Sequence, residues 1–287
     1  MNSPHAHSDL KKRTARANRA VLFLWSTVGM FVLLVLLLIP SLTFSGQNEI
    51  TIFAASSLNA PLTEAAIEFE KTTGTRVIIQ SGGSNTLLVQ LRFARSVDLF
   101  IPADDIYADE AQKQGFIKHS VPLARQNAVL ISRRKDNLQI ESLAQLLQSN
   151  LKLVQARPES AAIGQVTQTE LQQLGLWEAL ENKTLSMKLN VSEVLNDVRL
   201  GAADVGIVWD SVAVNQAEIR IHRLPELATI SAEVKVGLCT HAANQAAANE
   251  FVKFLKDPNG GQRFLKDYGF QVNHAPQLSA RSMQGVK

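Results

Sequence analysis

Thr51-Ile52-Phe53-Ala54-Ala55-Ser56-Ser57-Leu58 runs from a strand-like apolar stretch into two hydroxyls that open a helical pattern. A second small-residue turn, Ser81-Gly82-Gly83-Ser84-Asn85, follows about one helix and one strand later. Each places serine hydroxyls beside backbone N–H groups that a helix start leaves without intrahelical partners. Such an end holds an anion without a positively charged side chain. Two of them after consecutive parallel strands converge at one end of a sheet, where open α/β folds bind ligands. The pair predicts capture of a small oxyanion, with Ser57 and Ser84 as candidate ligand-binding residues.

Outward from these turns, short β-rich runs alternate with helical patterns, the signature of a parallel sheet. Strands are expected at Ile50–Ala54, Val77–Ile79 and Val97–Pro102. Helices are expected at Leu58–Thr73, stopped by Gly74, and at Thr86–Arg95, with another opening at Asp104-Asp105. A second set begins near Ala128. Strands at Ala128–Ser132, Leu151–Gln155 and Asp204–Trp209 alternate with helices at Ile140–Gln148, Gly164–Leu174 and Val191–Leu200. A late strand at Val234–Leu238 and helices at Asn244–Leu255 and Gly260–Lys266 complete the pattern. Two sets of similar size predict two lobes, with the late strand crossing back to the first: lobe 1 about 49–126 and 234–275, lobe 2 about 127–233. The polar tail, 276–287, is expected to be disordered.

The chain has 287 residues and a formal charge of +3, but that figure misleads. Lys11, Lys12, Arg13, Arg16 and Arg19 account for 5 of 29 basic residues, and Asp9 for 1 of 26 acidic ones, all within the first 40. The remainder carries 24 basic and 25 acidic groups, a balance of −1, so no nucleic-acid face is implied. Cys239 is the only cysteine, which excludes an intrachain disulfide, and its apolar surroundings suit a small buried hydrophobe. The six histidines show no metal-ligand spacing and are expected at the surface; no metal site and no resident cofactor is expected.

Val21 to Ile39 is almost wholly apolar and uncharged, nearly long enough to span a hydrocarbon core of about 30 Å. Its length, and the poor cleavage site at Pro40-Ser41-Leu42-Thr43-Phe44-Ser45-Gly46, favour an uncleaved anchor over a signal peptide. The basic segment 1–20 then stays cytoplasmic, the transmembrane helix occupies 21–40, a tether spans 41–48, and the rest faces outward. No cysteine near the apolar run could carry a lipid.

Four pieces in order resemble the substrate-binding proteins of molybdate ABC transporters. They are the opening stretch, Val97-Asp98-Leu99-Phe100-Ile101-Pro102-Ala103-Asp104, Gly206-Ile207-Val208-Trp209 and Tyr268-Gly269-Phe270. The likeness runs from about Ile50 to Val272. It implies an α/β, two-lobed type II periplasmic binding-protein fold, preceded here by one N-terminal transmembrane helix. It also implies an anion held by two serines, two backbone N–H groups and a tyrosine. In this sequence those positions are Ser57, Ser84, Ile163, Val191 and, in the tyrosine place, Trp209. Indole is donor-only and larger than phenol, so a hydrogen bond could be kept while the pocket changes shape. Ala156-Arg157-Pro158, Asp210 and Val212 also depart from the family pattern.

The bland readings stand beside these. Ser57 and Ser84 suit helix N-caps. Asp98 and Asp104 suit strand-end and capping roles, and Asp104-Asp105 with Glu110 suits a solvated acidic face. Arg133-Arg134-Lys135 suits a solvated turn, Trp177 a core anchor, and Trp209 either a core or a cleft residue. The first functional expectation is a membrane-anchored protein with its binding domain facing the periplasm or cell exterior. It would be a monomer capturing molybdate or tungstate for an ABC permease and ATPase. The alternatives are a membrane-anchored oxyanion sensor, or another anion such as sulfate. An enzyme is not expected, because no nucleophile–base pair is visible.

Mass spectrometry of the mature chain tests the anchor. An intact N-terminus in the membrane fraction is expected, and a soluble product beginning between Ser41 and Asn48 would show cleavage instead.

Overall fold

The structure, a computed structural model, describes residues 48–272. The basic segment, the anchor, the tether up to residue 47 and the tail all lie outside the described residues. Among those described, no helix is long and apolar enough to cross a membrane.

Strands β1 (Glu49–Ala55) and β2 (Arg76–Gly82) run parallel side by side, with Ala55 opposite Gly82. Helix α1 (Asn59–Thr73) joins them and buries Leu62, Ala65 and Phe69. It ends at Gly74, whose φ of 72° is a left-handed cap that glycine adopts without strain. Helix α2 (Ser84–Leu91) leads to β3 (Leu99–Ile101), which pairs in parallel with the other edge of β1. Both serine-bearing turns therefore leave adjacent strands at the same sheet end. Helix α3 (Asp105–Lys113) is capped by Asp104, whose Oδ1 accepts from the Ile106 N–H at 2.7 Å.

Strand β4 (Ile117–Arg133) decides the architecture. From Ile117 to Asn127 it pairs with β9 (Ser231–Cys239), and from Ala128 onward with β7 (Val205–Trp209) and β8 (Ile219–His222), all antiparallel. One strand thus belongs to two halves of a sheet, changing partners between Asn127 and Ala128. The chain returns at Ser231, three residues before the expected Val234, and β9 then pairs with β3. The sequence showed only the second part of β4. Its first part carries no clean alternation and contains Pro122, beside a register shift, an irregularity of the kind where strands tolerate proline. The sheet is mixed, because the strands linking its halves run antiparallel; the parallel expectation holds only within each half.

The second half repeats the geometry of the first. Strands β5 (Leu153–Ala156) and β6 (Thr184–Lys188) are parallel, with β7 parallel on the far side of β5. Helix α4 (Leu143–Gln148) precedes β5; helices α5 (Ala162–Gln173) and α6 (Trp177–Lys183) join β5 to β6. Helix α7 (Val191–Leu200) leads to β7, and the short α8 (Asp210–Ala213) follows it. After β9, α9 (Gln245–Lys256) and α10 (Gln262–Asp267) pack back on the first half. There Phe69 meets Phe251 edge-on at 5.0 Å, an aromatic geometry favoured over a face-to-face sandwich.

Several local expectations meet corrections. Arg133 is not solvated: its guanidinium bonds Asp136 at 2.7 Å and the Val198 and Ala203 carbonyls, stapling β4 to the end of α7. His222 is buried, not superficial, with Nε2 2.9 Å from the buried Ser132 hydroxyl; burial holds its pKa down. Two others hold as expected: Trp177 is buried in the core, and so is Cys239, whose thiol burial pushes up to about 12.

Asp98 has the structural role its position suggests. Nearly fully buried, it accepts from the Thr51 and Asn244 N–H groups, each at 2.8 Å, tying β1 to the start of α9. Asp98→Ala leaves both donors unpaired, at about 1–3 kcal/mol each. A chemical denaturation midpoint well below the parent's is expected; an unchanged one would remove Asp98 from the framework.

Candidate functional site

The strand ends and helix starts of both halves enclose one small cavity. Its void, mouth included, is about 190 Å³. From the first half come Ser57, in a 3₁₀ turn (Ser56–Leu58) leading into α1, and Ser84, the first residue of α2. From the second come Ile163 near the start of α5, Val191 at the start of α7, and Trp209 at the end of β7. All five residues named from the sequence line this cavity. No titratable side chain does.

The hydroxyls do not cap. The N-cap positions are Ala55, Leu58 and Gly83, none with a side-chain bond to the helix, so the capping reading of Ser57 and Ser84 fails. Ser57 is 4 % exposed and its Oγ has no hydrogen-bond partner, which is costly for a buried hydroxyl. Ser84 Oγ accepts from the Ala103 N–H at 3.1 Å, which fixes the oxygen and leaves its own proton to be donated. Ile163 is the second residue of α5 and Val191 the first of α7, positions whose N–H groups have no intrahelical acceptor. The Asn190 side chain caps α7 through the Glu193 N–H at 3.1 Å, two residues beyond the Val191 donor. Each helix start adds a positive dipole end, equivalent to about half an elementary charge.

Trp209 is 1 % exposed and also lines the cavity, so the core and cleft readings describe the same ring. Its partner across β4 is Ala128, at the strand's change of partner. Of the departures from the family pattern, Arg157 exposes its side chain and works through its backbone. Its carbonyl accepts from the Ser160 and Ala161 N–H groups at 3.1 Å each, shaping the turn before α5.

Sequence reasoning missed the seal. Gly83 lies where a Cβ would stand 2.3 Å from the Ser160 carbonyl oxygen and 2.6 Å from that of Leu189, both in the opposite half. Asn85 donates its N–H to the Ser160 carbonyl and its side-chain amide to that of Glu159. On the other flank Ser192 Oγ donates to the Ser56 carbonyl at 3.3 Å. The Gly82-Gly83 pair was the available signal: a glycine kept for close backbone approach. Ala103, also in the lining, carried none. Chemically, the lining brings two serine side chains and two helix starts to one cavity, without a nucleophile activated by a base. Among the described residues no group of His, Cys, Asp or Glu could hold a metal.

Comparison with known proteins gives a consistent picture. A profile of the bacterial extracellular solute-binding proteins matches residues 50–271. The molybdate-binding protein ModA of Mycobacterium bovis is 28 % identical over 234 residues, covering 80 % of this chain and 87 % of that protein. ModA of Escherichia coli is 29 % identical over 234 residues, covering 79 % and 90 %. The structure of the Azotobacter vinelandii periplasmic molybdate-binding protein superposes with a TM-score of 0.68 over 78 % of this chain and all of that one; at 21 % identity this is a likeness of fold.

The two serines separate in a stability measurement. Ser84→Ala strips the Ala103 N–H of its buried acceptor and is expected to cost about 1–3 kcal/mol, whereas Ser57→Ala breaks no hydrogen bond and is expected to be neutral or slightly stabilising. Denaturant titration of ligand-free protein checks this; an equal loss in both would mean Ser57 has a structural partner.

Proposed function

The chain belongs to the bacterial extracellular solute-binding proteins, and from that premise we propose that it captures a tetrahedral oxyanion, molybdate or tungstate first. The reading continues to delivery through an ABC permease and its ATPase, from a membrane-anchored position outside the cytoplasm. As a member of a binding family the protein is not an enzyme.

The observation that carries the reading is the buried, unpartnered Ser57 hydroxyl in a cavity lined by helix starts. A fully deprotonated dianion accepts hydrogen bonds and donates none, which suits hydroxyls and N–H groups converging from several directions. Protonated phosphate brings a hydrogen that needs an acceptor, and no carboxylate lines the cavity to supply one. Five donors are proposed: the Ser57 and Ser84 hydroxyls, the Ile163 and Val191 N–H groups, and the Trp209 indole. Because they come from both sheet halves, the anion is the partner the two halves share, and the halves act as lobes closing on it. The contacts of Gly83, Asn85 and Ser192 support a closed arrangement in which the ligand is sealed from solvent.

A thermal-shift panel on the full-length protein tests the reading. Molybdate or tungstate at 100 times its dissociation constant is expected to add about 2.7 kcal/mol to stability. A rise with sulfate or phosphate alone would overturn the choice of anion. In a Trp25→Phe, Trp177→Phe background Trp209 is the single reporter, and its emission is expected to shift on binding. Trp209→Phe should then lose about tenfold in affinity, the worth of one hydrogen bond to a charged group, with Trp209→Tyr restoring most of it. Unchanged affinity in Trp209→Phe would leave four donors.

A further inference from the structure

A buried hydrogen-bond chain runs from the serine of one half to the tryptophan end of the other, and one fully buried glutamine joins it. Gln126 is 0 % exposed and lies on β4 opposite Ala232 of β9; two residues on, Ala128 faces Trp209 of β7. It stands at the point where the strand passes from one half to the other. Its Nε2 donates to the Ala103 carbonyl at 3.0 Å, and the N–H of the same Ala103 donates to Ser84 Oγ. Its Oε1 accepts from Ser211 Oγ at 2.8 Å, two residues after Trp209. The Ala103 carbonyl can only accept, so it draws the NH₂ end of the amide and leaves the oxygen for Ser211.

The next residue repeats the connection. The Asn127 N–H donates to Asp210 Oδ1 at 2.9 Å, and its side-chain amide donates to Oδ2 at 3.1 Å. Asp210, a departure from the family pattern, thus pegs the β7–α8 junction to the crossing strand, with Arg223 3.9 Å away on the same carboxylate. Three hydrogen bonds hold Trp209's immediate successors to Gln126 and Asn127. Satisfied buried networks of this kind fix one geometry, because any rotation that breaks a member leaves a desolvated polar group.

We propose that Gln126 is a positioning residue: from the crossing strand it fixes the angle between the halves at which Ser84 and Trp209 reach the same ligand. This rests on the proposed closing of the halves around an anion. Gln126 touches no ligand itself. It acts through Ala103 on one side and Ser211 on the other, so its loss loosens the relative placement of the donors rather than removing one.

The test uses full-length protein with spin labels at Lys71→Cys in α1 and Glu178→Cys in α6, both exposed and in opposite halves. Cys239 is buried and stays unlabelled. Gln126→Met keeps side-chain length without the hydrogen bonds. It is expected to broaden the distance distribution of ligand-free protein and to weaken molybdate binding about tenfold, against about 1.4 kcal/mol per decade. Ser211→Ala removes one hydroxyl only and is expected to do the same more mildly, which keeps the test available if Gln126→Met fails to fold. Asp98→Ala is the control for a merely structural loss: lower stability, unbroadened distances. A distribution as narrow as the parent's in both Gln126→Met and Ser211→Ala would overturn the proposal. If the parent protein itself fails to bind molybdate, the anion reading falls, while the ligand-free distances still decide the role of Gln126.

Discussion

A helix begins with N–H groups that its own carbonyls cannot reach, and burying them without a partner costs free energy. This protein brings several such beginnings to one cavity: the turn at Ser56–Leu58 and the starts of α2, α5 and α7. Away from the cavity Asp104, Ser142 and Asn244 cap their helices through side-chain bonds. At the cavity Ala55, Gly83 and Ala161 make no side-chain cap bond, Asn190 alone caps, reaching the Glu193 N–H and not that of Val191, and Ser57 keeps an unpartnered hydroxyl. The unspent donors are divided between two sheet halves joined by β4 and β9. Under the proposed function, satisfying them and bringing the halves together are a single event.

The sheet end and the two serines were legible because their chemistry is carried by side chains: hydroxyls and glycines after strand-like runs. Ile163 and Val191 offer only backbone groups, which any residue supplies, so they were reached through family resemblance and not through their own identity. The first part of β4 was invisible because pairing with β9, not alternation, makes it a strand. Arg133 and His222 were misread for a related reason. A charged or polar side chain looks solvated until tertiary structure brings it an aspartate, a carbonyl or a serine hydroxyl.

The departures from the family pattern divide by what they touch. Arg157 acts through its backbone and leaves the pocket chemistry alone. Asp210 faces the crossing strand, not the cavity. Trp209 alone changes the lining, exchanging a phenol that can donate and accept for an indole that only donates. Under the proposed function, the consequence is a pocket with one fewer place for a proton-bearing anion.

The cavity walls carry no basic side chain, and this gives the protein an electrical signature. Beyond the first 40 residues the chain has 24 basic and 25 acidic groups. Under the proposed function, a dianion held only by dipoles and hydroxyls brings its charge with it uncompensated, moving that balance from −1 to about −3. Empty and loaded forms then differ in the field they present. A partner lined with positive charge would meet the loaded form faster than the empty one, and that preference would fade as ionic strength shortens the reach of the field.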